Sequence, residues 1–130
     1  MNMIYVNSLD KMLEYMSEYW DIQFPEKTDV VFTWDFSEWL LNSITVYWDL
    51  YIWDEVIWEK RETIIYWSLK VTWNIKAYNH LHIEYWLNAH NIKSTSSIYV
   101  RKWDINCNII QAKSIYAGRG IKANYIESLK

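Results

Sequence analysis

The sequence predicts a mainly β protein of the α+β kind: one N-terminal helix, antiparallel strands after it, and a short C-terminal repeat region coiled like a β-solenoid. Three observations predict it. An apolar stripe at helical spacing runs near the start, and residues 29 to 89 are rich in alternating β-branched and aromatic residues. The last third repeats an apolar residue, any residue, then a small one, at Ile92/Ser94, Ile105/Cys107, Ile110/Ala112, Ile115/Ala117, Ile121/Ala123 and Ile126/Ser128. From Ile105 the apolar members advance by five, five, six and five residues. A helix favours apolar spacings of three and four and a flat strand favours two. A coiling chain needs a longer unit, because one side chain fills the axis while the next inward position turns a corner.

Residues 1 to 6 begin as a short strand. Asn7 or Ser8 caps a helix whose stripe is Leu9, Met12, Leu13, Met16 and Trp20, with Asp10 in the first turn where the helix dipole favours an anion. Pro25, the one proline, sits in a polar hinge from Gln23 to Thr28. Strands are expected at Asp29 to Trp34, Ser43 to Trp53, Thr63 to Ile75 and Leu81 to Ala89. The second and third each show one apolar face and one mixed face, the pattern of a sheet packed on one side and wet on the other. A Trp-Asp/Asn-apolar triplet recurs at Trp34, Trp48, Trp73 and Trp103, and Trp48, Trp53 and Trp58 are five apart. The 130 residues then form a single domain: a helical cap (1–27), aromatic-rich strands (28–90) and five-residue repeats (91–130).

The segment from Trp103 to Ser128 resembles the arrays of Ile-x-Ala units of five-residue-repeat proteins, a likeness that covers residues 91 to 128. It implies a right-handed β-solenoid similar to that of pentapeptide-repeat proteins. There the small residue comes two before the central apolar one, whereas here it comes two after. Some members of that family are implied to act as DNA mimics, which requires a continuous acidic face. The repeat region here is basic, so mimicry would fall to the first half.

Charge is unevenly distributed along the chain. Residues 1 to 62 carry thirteen acids against four bases, a balance of −9, and residues 63 to 130 carry nine bases against three acids, a balance of +6. Either the halves separate in space and each end steers an oppositely charged partner, or they pack so that the charges interleave. The single Cys107 excludes an internal disulfide, no cationic start leads into an apolar h-region, and no apolar run nears the roughly 18 residues of a membrane helix, so a reducing, cytoplasmic protein is expected.

No motif specifies catalysis, and neither an enzyme nor a cofactor is expected. His80, His82 and Glu84 share one face of a strand and are weak metal candidates, but the Cys pairs of a zinc site are missing, so metal binding is not expected. Cys107 fills the slot where Ala and Ser sit in neighbouring repeats, which is a packing role. Gly118-Arg119-Gly120 lacks the context of a phosphate loop and reads as a turn. Ten Trp and eleven Tyr exceed what one small core needs, and exposed aromatics anchor partners, homodimerisation included.

The function expected is therefore a non-enzymatic inhibitor whose acidic, aromatic surface binds a basic protein, with steering by charge and anchoring by Trp and Tyr. Asp35, Glu38, Asp49, Tyr51, Trp53, Asp54, Glu55, Trp58 and Glu59 are the candidate contacts. A nucleic-acid enzyme is the expected target, in the manner of an anti-CRISPR, anti-restriction or nuclease-immunity protein. Two other classes stay open. A nucleic-acid-binding module would use Lys93, Arg101, Lys102, Lys113, Arg119 and Lys122, interleaved with Tyr99, Trp103, Tyr116 and Tyr125. A carbohydrate-binding module would use Trp53 and Trp58.

Overall fold

The computed structural model describes residues 2–32, 43–52, 62–78 and 80–129. The chain opens with β1 (Asn2–Val6), α1 (Leu9–Leu13), β2 (Ile22–Gln23), β3 (Thr28–Phe32), β4 (Ile44–Val46) and β5 (Leu50–Ile52). Next come β6 (Glu62–Ile65), β7 (Leu69–Val71), β8 (Asn74–Ala77), β9 (His80–Ile83), β10 (Leu87–Asn88) and β11 (Asn91–Ser94). The last are β12 (Ser97–Val100), β13 (Asp104–Asn106), β14 (Ile109–Ala112), β15 (Ser114–Ala117), β16 (Gly120–Lys122) and β17 (Tyr125–Ser128).

These strands wind into a β-solenoid of about five coils with three parallel sheets for walls. Sheet I runs β1-β3-β5-β8-β11-β14-β17, sheet II runs β2-β4-β7-β10-β13-β16, and sheet III runs β6-β9-β12-β15. Along sheet I, Asn74 pairs with Asn91, Asn91 with Ile109 and Ile109 with Tyr125, so successive coils take 17, 18 and 16 residues. The five-to-six-residue period is thus one wall, and three walls close a coil.

The core is a set of aligned ladders inside the three walls. On sheet I the inward column is Ile4, Val30, Leu50, Ile75, Ile92, Ile110 and Ile126. On sheet II it is Ile22, Ile44, Leu69, Leu87, Ile105 and Ile121. On sheet III it is Thr63, Leu81, Ile98 and Ile115. Most of these side chains are fully buried, and stacking like on like buries apolar area at every rung without a central helix.

The expected antiparallel strands are corrected to parallel ones. Ser43 to Trp53 holds β4 on sheet II and β5 on sheet I, and Thr63 to Ile75 spans β6, β7 and the start of β8 on all three sheets. The alternation misleads for a geometric reason. From Val46 to Leu50, Ile65 to Leu69, Val71 to Ile75, Ala77 to Leu81 and Ile83 to Leu87, each corner separates inward residues by four positions. An even step keeps the period-two pattern in phase through the bend, so strands on different walls read as one. Among the described residues the antiparallel pairing is an isolated bridge between Met16 and Ile22.

The helix is also shorter than its stripe predicts. Ser8 caps α1 by accepting from the Lys11 backbone N–H at 3.2 Å, but the helix ends at Leu13. Ser17 then captures a turn: its N–H donates to the Asp21 carbonyl at 2.7 Å, and its hydroxyl accepts from the backbone N–H of Tyr19 at 3.2 Å and of Asp21 at 3.3 Å. Such side-chain bonds compete with helical ones. Met12 of α1 is fully buried with Val6, Ile22 and Phe24, so α1 covers the first coil.

Candidate functional site

The Ser17 turn builds a groove beside α1. It forces Trp20 to a φ of 67°, a left-handed conformation that a bulky side chain adopts only when its surroundings impose it. The turn leaves Tyr19 and Trp20 78% and 71% exposed, the most open large hydrophobic residues among the described ones. With Leu13, Met16 and Trp67 they line a groove of about 630 Å³, where Asp21 and Ser43 supply the polar groups. Glu14 and Glu18 are exposed on the same short segment.

A solenoid translates sequence order into position along an axis, and this separates the charges. The described residues up to Ile52 carry seven acids (Asp10, Glu14, Glu18, Asp21, Glu26, Asp29 and Asp49) against Lys11 and Lys27. From Asn91 to Leu129 there are six bases, Lys93, Arg101, Lys102, Lys113, Arg119 and Lys122, against Asp104 and Glu127. The groove lies at the acidic end.

Of the acidic-surface candidates, Asp49 and Tyr51 are described. Asp35, Glu38, Trp53, Asp54, Glu55, Trp58 and Glu59 lie outside the described residues. Asp49 works within the fold: its Oδ1 accepts the Asn74 backbone N–H at 3.0 Å, and its own N–H donates to Asp29 Oδ1 at 2.9 Å. Tyr51 points outward on sheet I, with the Lys76 ammonium 5.7 Å from its ring centre. Burial, with help from the Asp49 and Asp29 carboxylates, pushes its phenol above the usual range.

The six basic candidates are not brought onto one face. Lys93 projects from sheet I, Lys113 sits at the corner between sheets I and III, and Lys122 projects from sheet II with Asp104 3.8 Å away. Arg101, Lys102 and Arg119 gather at the corner between sheets III and II, beside a column of Trp67, Tyr85 and Trp103. Trp67 and Tyr85 stack at 4.8 Å and 9°, and Trp103 meets Tyr85 edge-on at 5.9 Å. On sheet III, Tyr99 is held between His82 at 4.9 Å and Tyr116 at 4.8 Å. Trp67 covers a face of Tyr85 and Tyr99 a face of Tyr116, whereas Trp103 stands edge-on to its neighbour and is half exposed. The signal of these columns in sequence is the spacing: 67, 85 and 103 are 18 apart, and 82, 99 and 116 are 17 apart.

Glu84, a weak metal candidate in the sequence, is instead the centre of a buried ionic cluster. It is 7% exposed and accepts from Arg101 Nε, with His82 Nε2 at 3.4 Å and Lys102 Nζ at 4.0 Å. Burial alone would raise its pKa, but the hydrogen bonds from Arg101 and His82 and the charges of Arg101 and Lys102 outweigh that and hold the carboxyl below its usual range. His80 turns instead to the Ser96 hydroxyl at 3.1 Å. His80, His82 and Glu84 therefore do not converge, and among the described residues no three His, Cys, Asp or Glu side chains form a metal cluster. Cys107 occupies the small inward slot two residues after Ile105, half buried, and burial pushes its thiol up to about 11. No protein-family model, curated protein or solved structure matches this chain, so the likeness to pentapeptide-repeat proteins reaches as far as the β-solenoid shape.

Proposed function

We propose that this protein is a non-enzymatic, protein-binding inhibitor that docks its acidic end on a basic partner, and that the groove at α1 receives an apolar anchor from that partner. The observation that carries this is the coincidence, at one end of the solenoid, of an exposed Tyr19-Trp20 pair, Trp20 on left-handed backbone, with Asp21, Glu14 and Glu18. The left-handed backbone at Trp20 holds a docking side chain in place before the partner arrives. Net negative charge around the groove speeds encounter with a positive surface, while Trp and Tyr supply residence. A basic nucleic-acid enzyme, of the kind blocked by anti-CRISPR, anti-restriction or nuclease-immunity proteins, is the partner class that this chemistry fits.

The test is affinity capture from a lysate containing nucleic-acid enzymes, followed by assay of each captured enzyme with and without the purified protein. Wild type should retain and inhibit a basic nucleic-acid enzyme, with retention weakening as salt is raised. Trp20→Ala and the double change Glu18→Lys/Asp21→Lys should each weaken capture at least about tenfold, the effect of losing one interface anchor. Identical captured proteins from all three forms would refute the reading.

A further inference from the structure

Two irregularities coincide on the outer face of sheet I, in the middle coils of the solenoid. The first is a broken ladder of amides. Asn124 Nδ2 donates to Asn108 Oδ1 at 2.7 Å, and Asn108 Nδ2 donates to Asn91 Oδ1 at 3.5 Å. One coil further back Asn74 stands in register with Asn91, and there the series stops: Asn74 Oδ1 is buried with no hydrogen-bond partner among the described residues. A buried acceptor left unmatched is costly.

The second is a pair of like charges. Lys76 and Lys93 face each other on neighbouring strands β8 and β11, both exposed. Cations so placed repel across a strand spacing of about 4.8 Å. Arg101 and Lys122 have Glu84 and Asp104 beside them, and on the rung after Lys93 the Gln111 amide donates to Glu127 at 2.9 Å. Lys76 and Lys93 have no carboxylate partner among the described residues. Both irregularities open into one groove. Asn74, Lys76, Asn91 and Lys93 form a square array, amides at one end and ammoniums at the other, and with Ile109 and Gln111 they line a groove of about 300 Å³. Two residues along a strand separate the ends by about 6.6 Å.

We infer that this groove binds a sugar phosphate, with the phosphate between Lys76 and Lys93 and a sugar hydroxyl between Asn74 and Asn91. Charge selects the phosphate. A phosphate monoester carries about −1.5 to −2 near neutral pH, enough to balance two ammoniums, whereas a carboxylate balances one. The amides select a hydroxyl. Asn91 Oδ1 is taken by Asn108, so Asn91 offers its Nδ2–H, while Asn74 offers Oδ1. A hydroxyl accepts from the one, donates to the other and completes the ladder, whereas an ammonium cannot accept and a carboxylate cannot donate. Asp49, whose Oδ1 holds the Asn74 backbone N–H at 3.0 Å, puts negative charge beside the amide end and turns the phosphate toward the lysines. The groove shares no residue with the one at α1, so the two sites are tested separately.

The probes are glucose 6-phosphate, glucose, glucuronate and inorganic phosphate, each titrated to about 20 mM at constant ionic strength while the backbone amide NMR signals are followed. Glucose 6-phosphate should shift the signals of β8 and β11 saturably. Inorganic phosphate and glucuronate should bind at least about tenfold more weakly, and glucose not measurably. Lys76→Gln/Lys93→Gln, at exposed positions, should abolish the saturable shift with the rest of the spectrum unchanged. Asn74→Ala should lower the affinity for glucose 6-phosphate to that for inorganic phosphate, and leave the latter as it was. Absence of a saturable shift, or one that survives the double lysine change, overturns the inference. An Asn74→Ala protein that still prefers glucose 6-phosphate, or a wild type that binds inorganic phosphate equally well, overturns the sugar assignment. Glucuronate binding as tightly as glucose 6-phosphate overturns the phosphate assignment.

Discussion

Gly118 and Gly120 lie two residues apart in the same corner, and the same substitution should act on them with opposite sign. The corner from Val100 to Ile105 has four intervening residues, whereas its partner in the next coil, from Ala117 to Ile121, has three. The shorter path draws the chain inward against the preceding coil, where the Gly118 N–H bonds the Val100 carbonyl at 2.9 Å. A Cβ at Gly118 would lie 2.1 Å from the Arg101 carbonyl oxygen and 2.9 Å from its carbon, while ordinary contact starts near 3.4 Å. Both obstacles are backbone, so the coils must part by more than an ångström, in a stack whose spacing is fixed near 4.8 Å by interstrand hydrogen bonds. Overpacking of this kind destabilises by about 1–3 kcal/mol. At Gly120 the nearest atom is Asp104 Oδ1 at 3.7 Å, an ordinary contact, and neither glycine has a positive φ. Gly120→Ala should therefore stabilise by about 0.4–1 kcal/mol through the reduced freedom of the unfolded chain. Thermal unfolding should give a lower midpoint for Gly118→Ala, by roughly 3–10 °C, and an equal or higher one for Gly120→Ala. Because coils at an end can open locally, hydrogen exchange in β15–β17 should be accelerated by Gly118→Ala even where the global transition moves little. Equal midpoints and equal exchange for the two variants would refute the close-approach account.

Two further predictions concern titratable groups. The folded state holds the Glu84 carboxyl below its usual 4.5, so its ionised form contributes stability that is fully present above that value and is lost as pH falls through the lower, folded one. Glu84→Gln should unfold earlier than wild type at pH 7, with the gap narrowing at pH 3, and a gap that stays constant or widens on acidification would contradict the assignment. Burial raises the Cys107 thiol from 9.0 to about 11, which leaves roughly a hundredfold less thiolate near pH 8. Alkylation by iodoacetamide at pH 8 should accordingly be at least about 100-fold slower in the folded protein than in denaturant, and equal rates would show that the thiol is open.

The coiled architecture was legible only where corners are odd. Between Cys107 and Ile110, and again between Ala112 and Ile115, the inward residues are three apart, so alternation breaks and the five-residue unit stands out. In the middle of the chain the same architecture is written in steps of six, with Thr63, Leu69, Ile75, Leu81 and Leu87 all inward. There the even corners hide the bends. A strand pattern running thirteen residues without a turn signal, as from Thr63 to Ile75, is the clue that was available, since ordinary strands are about half that length. The Trp-Asp/Asn-apolar triplets at Trp48, Trp73 and Trp103 are corner marks: Trp48-Asp49-Leu50 and Trp73-Asn74-Ile75 occupy equivalent positions, because Leu50 pairs with Ile75. Helix length was beyond periodicity, since the Ser17 turn is decided by hydroxyl and backbone bonds that an apolar stripe does not register.

The groove escaped sequence reading for the opposite reason. Leu13, Met16 and Trp20 are legible as the buried stripe of a helix, and the structure leaves all three exposed because the helix ends at Leu13 and the turn swings them outward. An apolar residue placed on a predicted core face and then found outside it, on a strained backbone, is the stronger pointer to recognition, because folding alone gives no reason to expose it. The charge balance gains meaning in the same way. A net value of −3 says little about partners, and in a fold with mixed strand order the two halves would largely cancel. Here each residue's place in sequence sets its height on the solenoid, so among the described residues the seven acids and two bases up to Ile52 and the six bases and two acids from Asn91 to Leu129 become separate poles: an acidic groove with aromatic anchors, and basic later coils. Binding at the acidic pole should therefore weaken as ionic strength rises, because the steering charges around the groove are exposed and screened by salt.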